Sequence, residues 1–311
     1  MNLRIVSYNV RYFGHSTRGL AATRSSVKNI SFALANLSPL ADIICLQEVE
    51  TSSLRSTIMY PKSHRNETQL ERLMHLLDSA LAAKKQRDVY EAFYFPAHVY
   101  RLIPGLPFYT TGLAILVHRH LTIDHHNTNG PEHITHHHVH AMRALKQTRI
   151  CAHLRVRLEN RSIIDLFNTH LSLPTWLHRS FWTGSGRLGY GPNQMEETRK
   201  LVSFVDRERQ SDRFIVVGDF NAIPGSPVYS HLVGPTGWSD GFATCMRFGT
   251  DALREWATAG FANARMRLDH AFSGNGIEWQ NFIDTHAFDD PIGRFSGLSD
   301  HVPIVGTAIV K

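Results

Sequence analysis

Cysteines and long apolar runs are the features that this 311-residue sequence has least of. Its three cysteines, Cys45, Cys151 and Cys245, are odd in number and form no CxxC pair, which argues against a disulfide framework and a cysteine-based zinc site. No apolar run approaches the roughly 20 residues that a membrane-spanning helix needs. The opening MNLRIVSYNV has the pattern of a strand and not of a signal peptide. These absences favour a soluble cytoplasmic protein.

Basic residues only slightly outnumber acidic residues. The 33 basic and 27 acidic residues give a net charge of +6 and a pI near 9.3, a modest preference for polyanionic partners such as nucleic acid, nucleotides or an anionic membrane surface. The 42% hydrophobic and 19% charged content is that of a globular protein. Because there is no sustained shift in composition and no repeat of fixed period, we expect a single domain over residues 1–311.

Short apolar runs alternate with segments of helical period, which is typical of a layered α/β protein. The strand candidates are LRIVSYNV, DIICLQEV, GLAILVH, RICAHLRVRL, SIIDLFNTHL, RFIVVGDF, RLDHAFS and HVPIVGTAIV. The helix candidates are Ser25–Leu37, Glu67–Ala83 and Met195–Arg209. Asn193 is the expected N-cap of the last helix. The polar segment Asp124–His140 and the Gly- and Pro-containing segment Leu173–Pro192 are predicted to be loops.

Six of these strand segments carry polar side chains at their ends. The residues are Asn9, Glu48, Asn168, His170, Asp219, Asn221, Asp269, His270, Asp300 and His301. One polar residue after a strand is usually a turn former or a helix cap. Six such ends are more informative, because strand ends in sheet-based α/β folds converge on one edge, where ligand sites are built.

The residue types at these ends suit the hydrolysis of a phosphoester. That reaction needs the phosphate charge shielded, a water activated and the leaving oxygen stabilised. Hard cations such as Mg²⁺ or Mn²⁺ prefer oxygen ligands, which Glu48, Asp219, Asp300 and the amide of Asn9 could supply. Histidines such as His170 and His301 can transfer protons near neutral pH. The sequence therefore predicts a divalent-metal-dependent phosphoester hydrolase.

The motifs SYNV, LQE, NTHL, GDFN, RLDH and SDHVP, in this order and across nearly the whole chain, resemble those of the endonuclease/exonuclease/phosphatase superfamily. The resemblance implies a four-layer, DNase I-like α/β sandwich, in which two mixed β-sheets pack face to face with helices outside. It also implies hydrolysis of phosphodiesters or phosphomonoesters with Mg²⁺ or Mn²⁺.

The resemblance also implies roles for individual residues. Glu48 is similar to the principal metal ligand of the family, with Asn9 beside it and Asp300 as a further ligand. His301 resembles the catalytic histidine, and Asp269 the carboxylate that orients it.

Three further residues complete the family pattern. Asp219 resembles the group that orients or deprotonates the attacking water, and Asn221 the amide that bonds the phosphate oxygens. The histidine of NTHL, His170, is shared with deoxyribonucleases, sphingomyelinases and deadenylases, whereas AP endonucleases carry an amide there. It is expected to be the leaving-group acid or a phosphate binder, and which of the two histidines is the acid stays open.

Three further residues are candidates for substrate binding. Asn168 precedes the NTHL histidine by two residues, and Arg143 is similar in placement to a phosphate-binding arginine of the deoxyribonuclease branch, or is a surface residue. Trp182, in an aromatic segment with nearby cations, could stack on exposed bases, enter a lipid interface or pack its loop onto the body. The histidine-rich stretch 133–140 is a metal site, a solvated loop or part of the rim of the active site.

Three functions remain open at this point. The leading interpretation is a nuclease or phosphodiesterase, monomeric and without a membrane span, that acts on nucleic acid or nucleotides. The alternative within enzymes is a lipid or inositol-phosphate phosphoesterase, sphingomyelinase-like or 5-phosphatase-like. The alternative from another class is a non-catalytic binding scaffold of the same fold, which the presence of all the expected metal and proton-transfer groups disfavours.

Overall fold

The computed structural model describes residues 2–15, 23–50, 68–103, 106–135, 148–173, 188–261 and 264–311. The helices are α1 (Arg24–Ala35), α2 (Gln69–Ala82), α3 (Pro192–Glu208), α4 (Pro227–Val233), α5 (Gly241–Met246) and α6 (Thr250–Glu255). The strands are β1 (Asn2–Asn9), β2 (Ile43–Val49), β3 (Tyr90–Ile103), β4 (Leu106–His118), β5 (Thr122–His126), β6 (Glu132–His133), β7 (Ile150–Arg157), β8 (Ile163–His170), β9 (Phe214–Asp219), β10 (Ser239–Asp240), β11 (Ala259–Phe261), β12 (Ala264–Met266), β13 (Asp269–Ser273), β14 (Ile277–Asn281) and β15 (Ile304–Val310). A 3-10 turn, Arg11–Phe13, follows β1.

Two mixed sheets with the same internal arrangement form the body. The first has the strand order β14–β15–β1–β2–β4–β3, and the second has the order β10–β13–β9–β8–β7–β5, with β6 also paired to β7. In each sheet one parallel pair, β1 with β2 or β9 with β8, is flanked by antiparallel strands. The carboxyl ends of each parallel pair therefore lie at one edge of its sheet.

The alternation of side chains along the central strands separates two apolar layers. Leu3 and Ile5 of β1 belong to the core that also contains Leu166 of β8. Val6 and Tyr8, at the alternate positions of the same strand, face the other way, into the cluster formed with the apolar residues of α1 and α2. This pattern places one helix layer outside the first sheet.

Helix α3 covers the outer face of the second sheet. The ring of Phe204 on α3 packs edge-on against Phe167 of β8, with 5.8 Å between ring centroids. The next residue of β8, Asn168, points to the opposite face and bonds the first sheet. The order of layers is helices, sheet, sheet and helix, which confirms the predicted four-layer α/β sandwich.

The boundaries of several elements differ from the sequence-based prediction. Helix α3 begins three residues earlier than predicted, at Pro192, and its N-cap is Gly191 rather than Asn193. The segment predicted as the loop Asp124–His140 contains the end of β5 and all of β6. Within the ranges that the structure describes, no helix combines the length and apolar character needed to cross a membrane.

Candidate active site

The polar ends of the central strands meet at one edge of the sandwich. In the second sheet Asp219, at the end of β9, is in register with His170 of β8 and with Asp269 of β13. Asn9 of the first sheet reaches across to it, with Nδ2 3.0 Å from Oδ2 of Asp219 and 3.4 Å from Oε1 of Glu48. The parallel pairs of both sheets thus deliver their terminal side chains to a common site.

His301 and Asp269 form a buried imidazole–carboxylate pair. Nδ1 of His301 lies 2.8 Å from Oδ2 of Asp269, and its Nε2 lies 3.7 Å from Oδ2 of Asp219. Burial on its own lowers the pKa of His301, but the charges of Asp269 and Asp219 outweigh burial and raise the pKa to about 10. The imidazole is therefore protonated at neutral pH in this arrangement.

A threonine holds the carboxylate of this pair. Oγ1 of Thr258 donates to Oδ2 of Asp269 at 2.7 Å and accepts the main-chain N–H groups of Leu268 and Asp269 at 3.0 and 3.1 Å. Thr258 is fully buried. Nothing in the sequence pattern had indicated this residue, since it lies outside the motif, eleven positions before the aspartate that it supports.

At this edge Asp219 is buried and Glu48 and Asp300 are half-buried, and the negative charges of these carboxylates repel one another. Burial raises the pKa of Glu48, and the charge of Asp300 raises it further. Burial likewise raises the pKa of Asp219. Arg11 compensates part of this charge by pairing with Oδ2 of Asp300 at 2.9 Å.

The residues at this edge have the chemistry to hold a divalent cation. Oδ1 of Asp269 is buried and has no hydrogen-bond partner among the described residues, and a carboxylate oxygen of Asp269 lies within 4.8 Å of one of Asp219. The crowded oxygens of Glu48 and Asp300 are the hard ligands that such a cation prefers, and a cation would relieve their mutual repulsion. The donor set therefore fits a hard metal ion.

Asn9, predicted as a metal ligand, presents its amide nitrogen to the carboxylates. Its Oδ1 accepts the main-chain N–H of Arg11 at 3.0 Å, while its Nδ2 faces Glu48 and Asp219. Because an N–H can only donate and a carboxylate can only accept, these neighbours determine the orientation of the amide. In this arrangement Asn9 fixes the separation of Glu48 and Asp219.

His170 faces the same carboxylates from the second sheet. Its Nε2 lies 3.5 Å from Oδ2 of Asp219 and 3.9 Å from Oε1 of Glu48. On the other side of the ring, Nη1 of Arg149 lies 3.0 Å from Nδ1. Arg143, the arginine predicted to bind phosphate, lies outside the described residues, and the arginine found at this histidine is Arg149.

Asn168, predicted to bind substrate, lies between the sheets. It is fully buried, accepts from Nε2 of Gln47 at 2.8 Å, and donates to the carbonyl oxygens of Leu46 and Ala114 at 3.1 and 3.3 Å. Both ends of its amide therefore contact the first sheet below the site. The other predicted substrate-binding residue, Trp182, lies outside the described residues, as do positions 136–140 of the histidine-rich stretch.

Asn221 lies in the tight turn after β9. Its main-chain N–H donates to Oδ1 of Asp219 at 2.9 Å, and its Nδ2 donates to the carbonyl oxygen of Leu171 at 2.9 Å. Leu171 is the one acceptor of this amide within the described ranges, and an amide nitrogen can donate two hydrogens. The turn thus connects the end of β9 to the residue that follows His170.

One edge of the sandwich therefore carries several carboxylates, a protonated imidazole paired with Asp269 and a second imidazole. These groups have the chemistry that the hydrolysis of an anionic ester needs. A family model described as the endonuclease/exonuclease/phosphatase family matches residues 6–301. The chain belongs to this family of phosphate-ester hydrolases, as its motifs predicted.

Solved structures share the fold at low sequence identity. The catalytic domain of human nocturnin with a bound sulfate is 17% identical, with a TM-score of 0.62 over 100% of this chain and 95% of that one. ANGEL2, a 2',3'-cyclic phosphatase in complex with adenosine-2',3'-vanadate, is 15% identical, with a TM-score of 0.62 over 99% and 95% of the two chains. A mannosyl-6-phosphatase from Bacteroides thetaiotaomicron is 14% identical, with a TM-score of 0.60 over 99% of both. A search of curated proteins finds no match.

Proposed function

We propose that this chain is a phosphodiesterase that depends on Mg²⁺ or Mn²⁺ and acts on nucleic acid or nucleotides. The observation that carries the proposal is the environment of Asp219. Nε2 of His170 lies 3.5 Å from its Oδ2 and Nε2 of His301 lies 3.7 Å from it, while Glu48 adjoins it through Asn9. One carboxylate is thus shared between two imidazoles and the predicted metal ligands.

The proposed roles follow from this placement. Glu48 and Asp300 would hold the cation, which supplies Lewis-acid shielding of phosphate charge. Asp219, whose pKa is raised by burial, orients a water and is a better base than an ordinary aspartate. His301 is protonated and donates a hydrogen bond or a proton toward the phosphate, and Asn221 has one amide hydrogen left for a phosphate oxygen.

The nucleic-acid or nucleotide class is supported by charge and by the nature of one relative. The net charge of +6 favours polyanions, and the ANGEL2 structure holds an adenosine-2',3'-vanadate. Since another relative is described as a mannosyl-6-phosphatase, monoester substrates belong in the test. A single domain over residues 1–311, a monomeric state and a cytoplasmic location stay predictions of the sequence.

The test is a substrate panel with metal control. The purified protein is assayed on bis-(p-nitrophenyl) phosphate, oligonucleotides, cyclic nucleotides, sugar phosphates, sphingomyelin and phosphoinositides, with EDTA and with Mg²⁺ or Mn²⁺ restored. We expect turnover of diesters that EDTA abolishes and either metal restores. Turnover of sugar phosphates or lipids alone would contradict nucleic acid or nucleotides as the substrate class and would indicate the class that is hydrolysed. No turnover of any substrate would favour a binding scaffold.

Two variants test whether the proposed residues carry out the reaction. We expect Glu48→Gln and His301→Ala to abolish turnover while the far-ultraviolet circular dichroism spectrum stays that of the wild type. The matched controls are Glu278→Gln and His75→Ala, which change the same residue types at exposed positions and should leave turnover unchanged. Equal activity of both site variants and the wild type would refute the residue assignment.

A further inference from the structure

A single buried glutamine connects three segments at the edge of the second sheet. Gln194 lies in the first turn of α3 and is 1% exposed. Its Nε2 donates to the carbonyl oxygens of Ser172 and Asn221 at 2.7 and 2.9 Å. Its Oε1 accepts the main-chain N–H groups of Gly189 and Gly191 at 3.1 and 3.2 Å. One amide therefore makes four hydrogen bonds and satisfies four backbone groups.

The orientation of this amide follows from its neighbours. Main-chain carbonyl groups can only accept and main-chain N–H groups can only donate, so Nε2 must face Ser172 and Asn221. All four bonds are buried or nearly so, where an unmade bond costs more than at the surface. The amide is thus a specific connector that a residue of similar shape but different hydrogen-bonding capacity could not replace.

The connected groups belong to the candidate site. Asn221 is the residue expected to contact phosphate, and Ser172 follows His170 by two positions. Glu197, one turn further along α3, strengthens the attachment of Ser172 to this helix. Its carboxylate accepts the main-chain N–H and the hydroxyl of Ser172 at 2.9 and 2.7 Å. The start of α3 therefore holds the ends of β8 and β9 at one separation.

The first sheet has a counterpart of this connection. Gln69, fully buried at the start of α2, accepts the main-chain N–H of Glu50 at 3.0 Å and donates to the carbonyl oxygen of Tyr12 at 3.1 Å. Tyr12 follows β1 and Glu50 follows β2, just as Asn221 follows β9 and Ser172 follows β8. The same device thus occurs at the equivalent edge of the equivalent parallel pair.

We propose that Gln194 is a positioning residue for hydrolysis: it holds Asn221 and the end of β8 that carries His170 in the geometry that the reaction needs. The inference rests on the proposed function, because it assigns these two groups to the reacting phosphate. Misplacement of a catalytic group by about 1 Å can lower a rate roughly 100-fold. Gln194 itself bonds only backbone groups, so its loss should act through the residues that it holds.

Four variants separate positioning from general stability. Gln194→Met removes all four bonds at similar volume, and Gln194→Glu keeps the acceptor for Gly189 and Gly191 but loses both donors. Thr198→Val is the local control, because it removes a buried hydroxyl bond of the same helix, from Thr198 to the carbonyl oxygen of Gln194 at 2.7 Å, without touching the strand ends. Gln69→Met is the matched control in the other sheet.

The kinetic measurement is kcat and KM for bis-(p-nitrophenyl) phosphate under saturating Mg²⁺. We expect both Gln194 variants to lower kcat about 10- to 100-fold with little change in KM. Thr198→Val should keep the wild-type kcat even if its melting temperature falls as far. A wild-type kcat in Gln194→Met, or an equal loss in Thr198→Val at equal stability, would overturn the proposal.

Hydrogen exchange measured by mass spectrometry provides a readout that does not depend on activity. Gln194→Met should speed exchange in peptides 166–173 and 217–226, whereas Gln69→Met should speed it at 5–13 and 44–50. If the wild type hydrolyses no phosphoester, the proposed function fails and the exchange pattern alone decides the positioning claim. Unchanged exchange in Gln194→Met would overturn it, as would faster exchange with wild-type kcat in an active enzyme.

Discussion

Arg149 determines which nitrogen of His170 carries the proton. Its Nη1 lies 3.0 Å from Nδ1 of the imidazole, and because a guanidinium only donates, Nδ1 must be the acceptor. Burial, together with the charges of Arg149 and His301, holds the pKa of His170 well below its usual value. The ring is therefore neutral with its hydrogen on Nε2, and it offers the site a hydrogen-bond donor.

We expect Arg149→Met to lower kcat for bis-(p-nitrophenyl) phosphate by about 10²-fold, the loss typical of removing one preorganised donor. Without the guanidinium, Nδ1 of His170 can take the proton, and the donor that faces Asp219 is lost. Nitrogen-15 chemical shifts of the imidazole would report the change of tautomer. Arg157→Met, which changes an exposed arginine at the far end of β7, the strand that follows Arg149, is the control. A wild-type kcat with an unchanged tautomer would contradict this role.

We expect Asp269→Asn to lower kcat by about 10²- to 10⁴-fold with the fold intact, as replacing the carboxylate of an orienting pair does elsewhere. The amide can no longer balance the charge on His301, so the pKa of that imidazole should fall from its raised value. An NMR titration of His301 measures this shift directly. The exposed Asp289→Asn is the matched control. A histidine pKa that stays raised in Asp269→Asn would show that Asp269 is not its cause.

The convergence of strand ends was predictable because the central strands have a simple pattern. Apolar residues fill both faces of β1 and β9, and each strand stops at polar groups. Parallel pairing then brings His170 beside Asp219, and Asn9 beside Gln47 and hence next to Glu48, at shared edges. The local sequence was sufficient to predict this convergence, because apolar runs indicate the buried strands and the polar groups indicate where they end.

The groups that support the site were not predictable in the same way. Gln194 looks like an ordinary helix residue, and Asn193 next to it is the better N-cap by residue type. What selects Gln194 is four backbone groups from three segments, an arrangement that exists only after folding. The same holds for Asn168: its position at a strand end predicts substrate contact, and the contacts of both ends of its amide with the first sheet exist only after folding.

Strand β3 was missed for a different reason. Pro96 interrupts its sequence, and a proline usually argues against a strand. The strand lies at the edge of the first sheet, where a residue without an N–H is tolerated because one side of the strand has no neighbour to bond. An edge position depends on the topology of the whole sheet, which the local sequence does not contain.

We expect Gly218→Ala to destabilise the protein by roughly 1–3 kcal/mol, the usual cost of overpacking a rigid interior. A Cβ at Gly218 would lie 2.0 Å from the carbonyl oxygen of Thr169 on the neighbouring strand, and backbone paired in a sheet cannot move aside. Since Asp219 is the next residue, kcat should fall as well. Urea unfolding and kcat measure the two effects. Gly130→Ala, whose Cβ would meet nothing within 4 Å, should change neither, and equal effects of both would contradict the steric argument.

A buried ion pair joins Asp240 of β10 to Arg267, which lies two residues before β13. Nη2 of Arg267 lies 3.5 Å from Oδ1 of Asp240, and the guanidinium packs 4.3 Å from the ring centroid of Phe242. None of the guanidinium nitrogens has a hydrogen-bond partner within the described ranges. Burial raises the pKa of Asp240, but Arg267 and His270 outweigh burial and lower the pKa to about 2. The carboxylate is therefore ionised in the folded state and is the main compensation for a buried cation.

We expect the ion pair of Arg267 and Asp240 to make the free energy of unfolding depend on pH in the acid range. A carboxyl group with a folded-state pKa of about 2, against an ordinary value of 3.8, contributes about 2 kcal/mol of stability above the unfolded pKa and loses it as the pH falls toward 2. Asp240→Asn should cost about 3–5 kcal/mol at pH 7, because it leaves the Arg267 charge buried without a counterion. Between pH 5 and pH 3 the variant should then lose less stability than the wild type, as measured by urea unfolding. The exposed Asp206→Asn should follow the wild type, and an equal acid dependence of Asp240→Asn would remove Asp240 as its source.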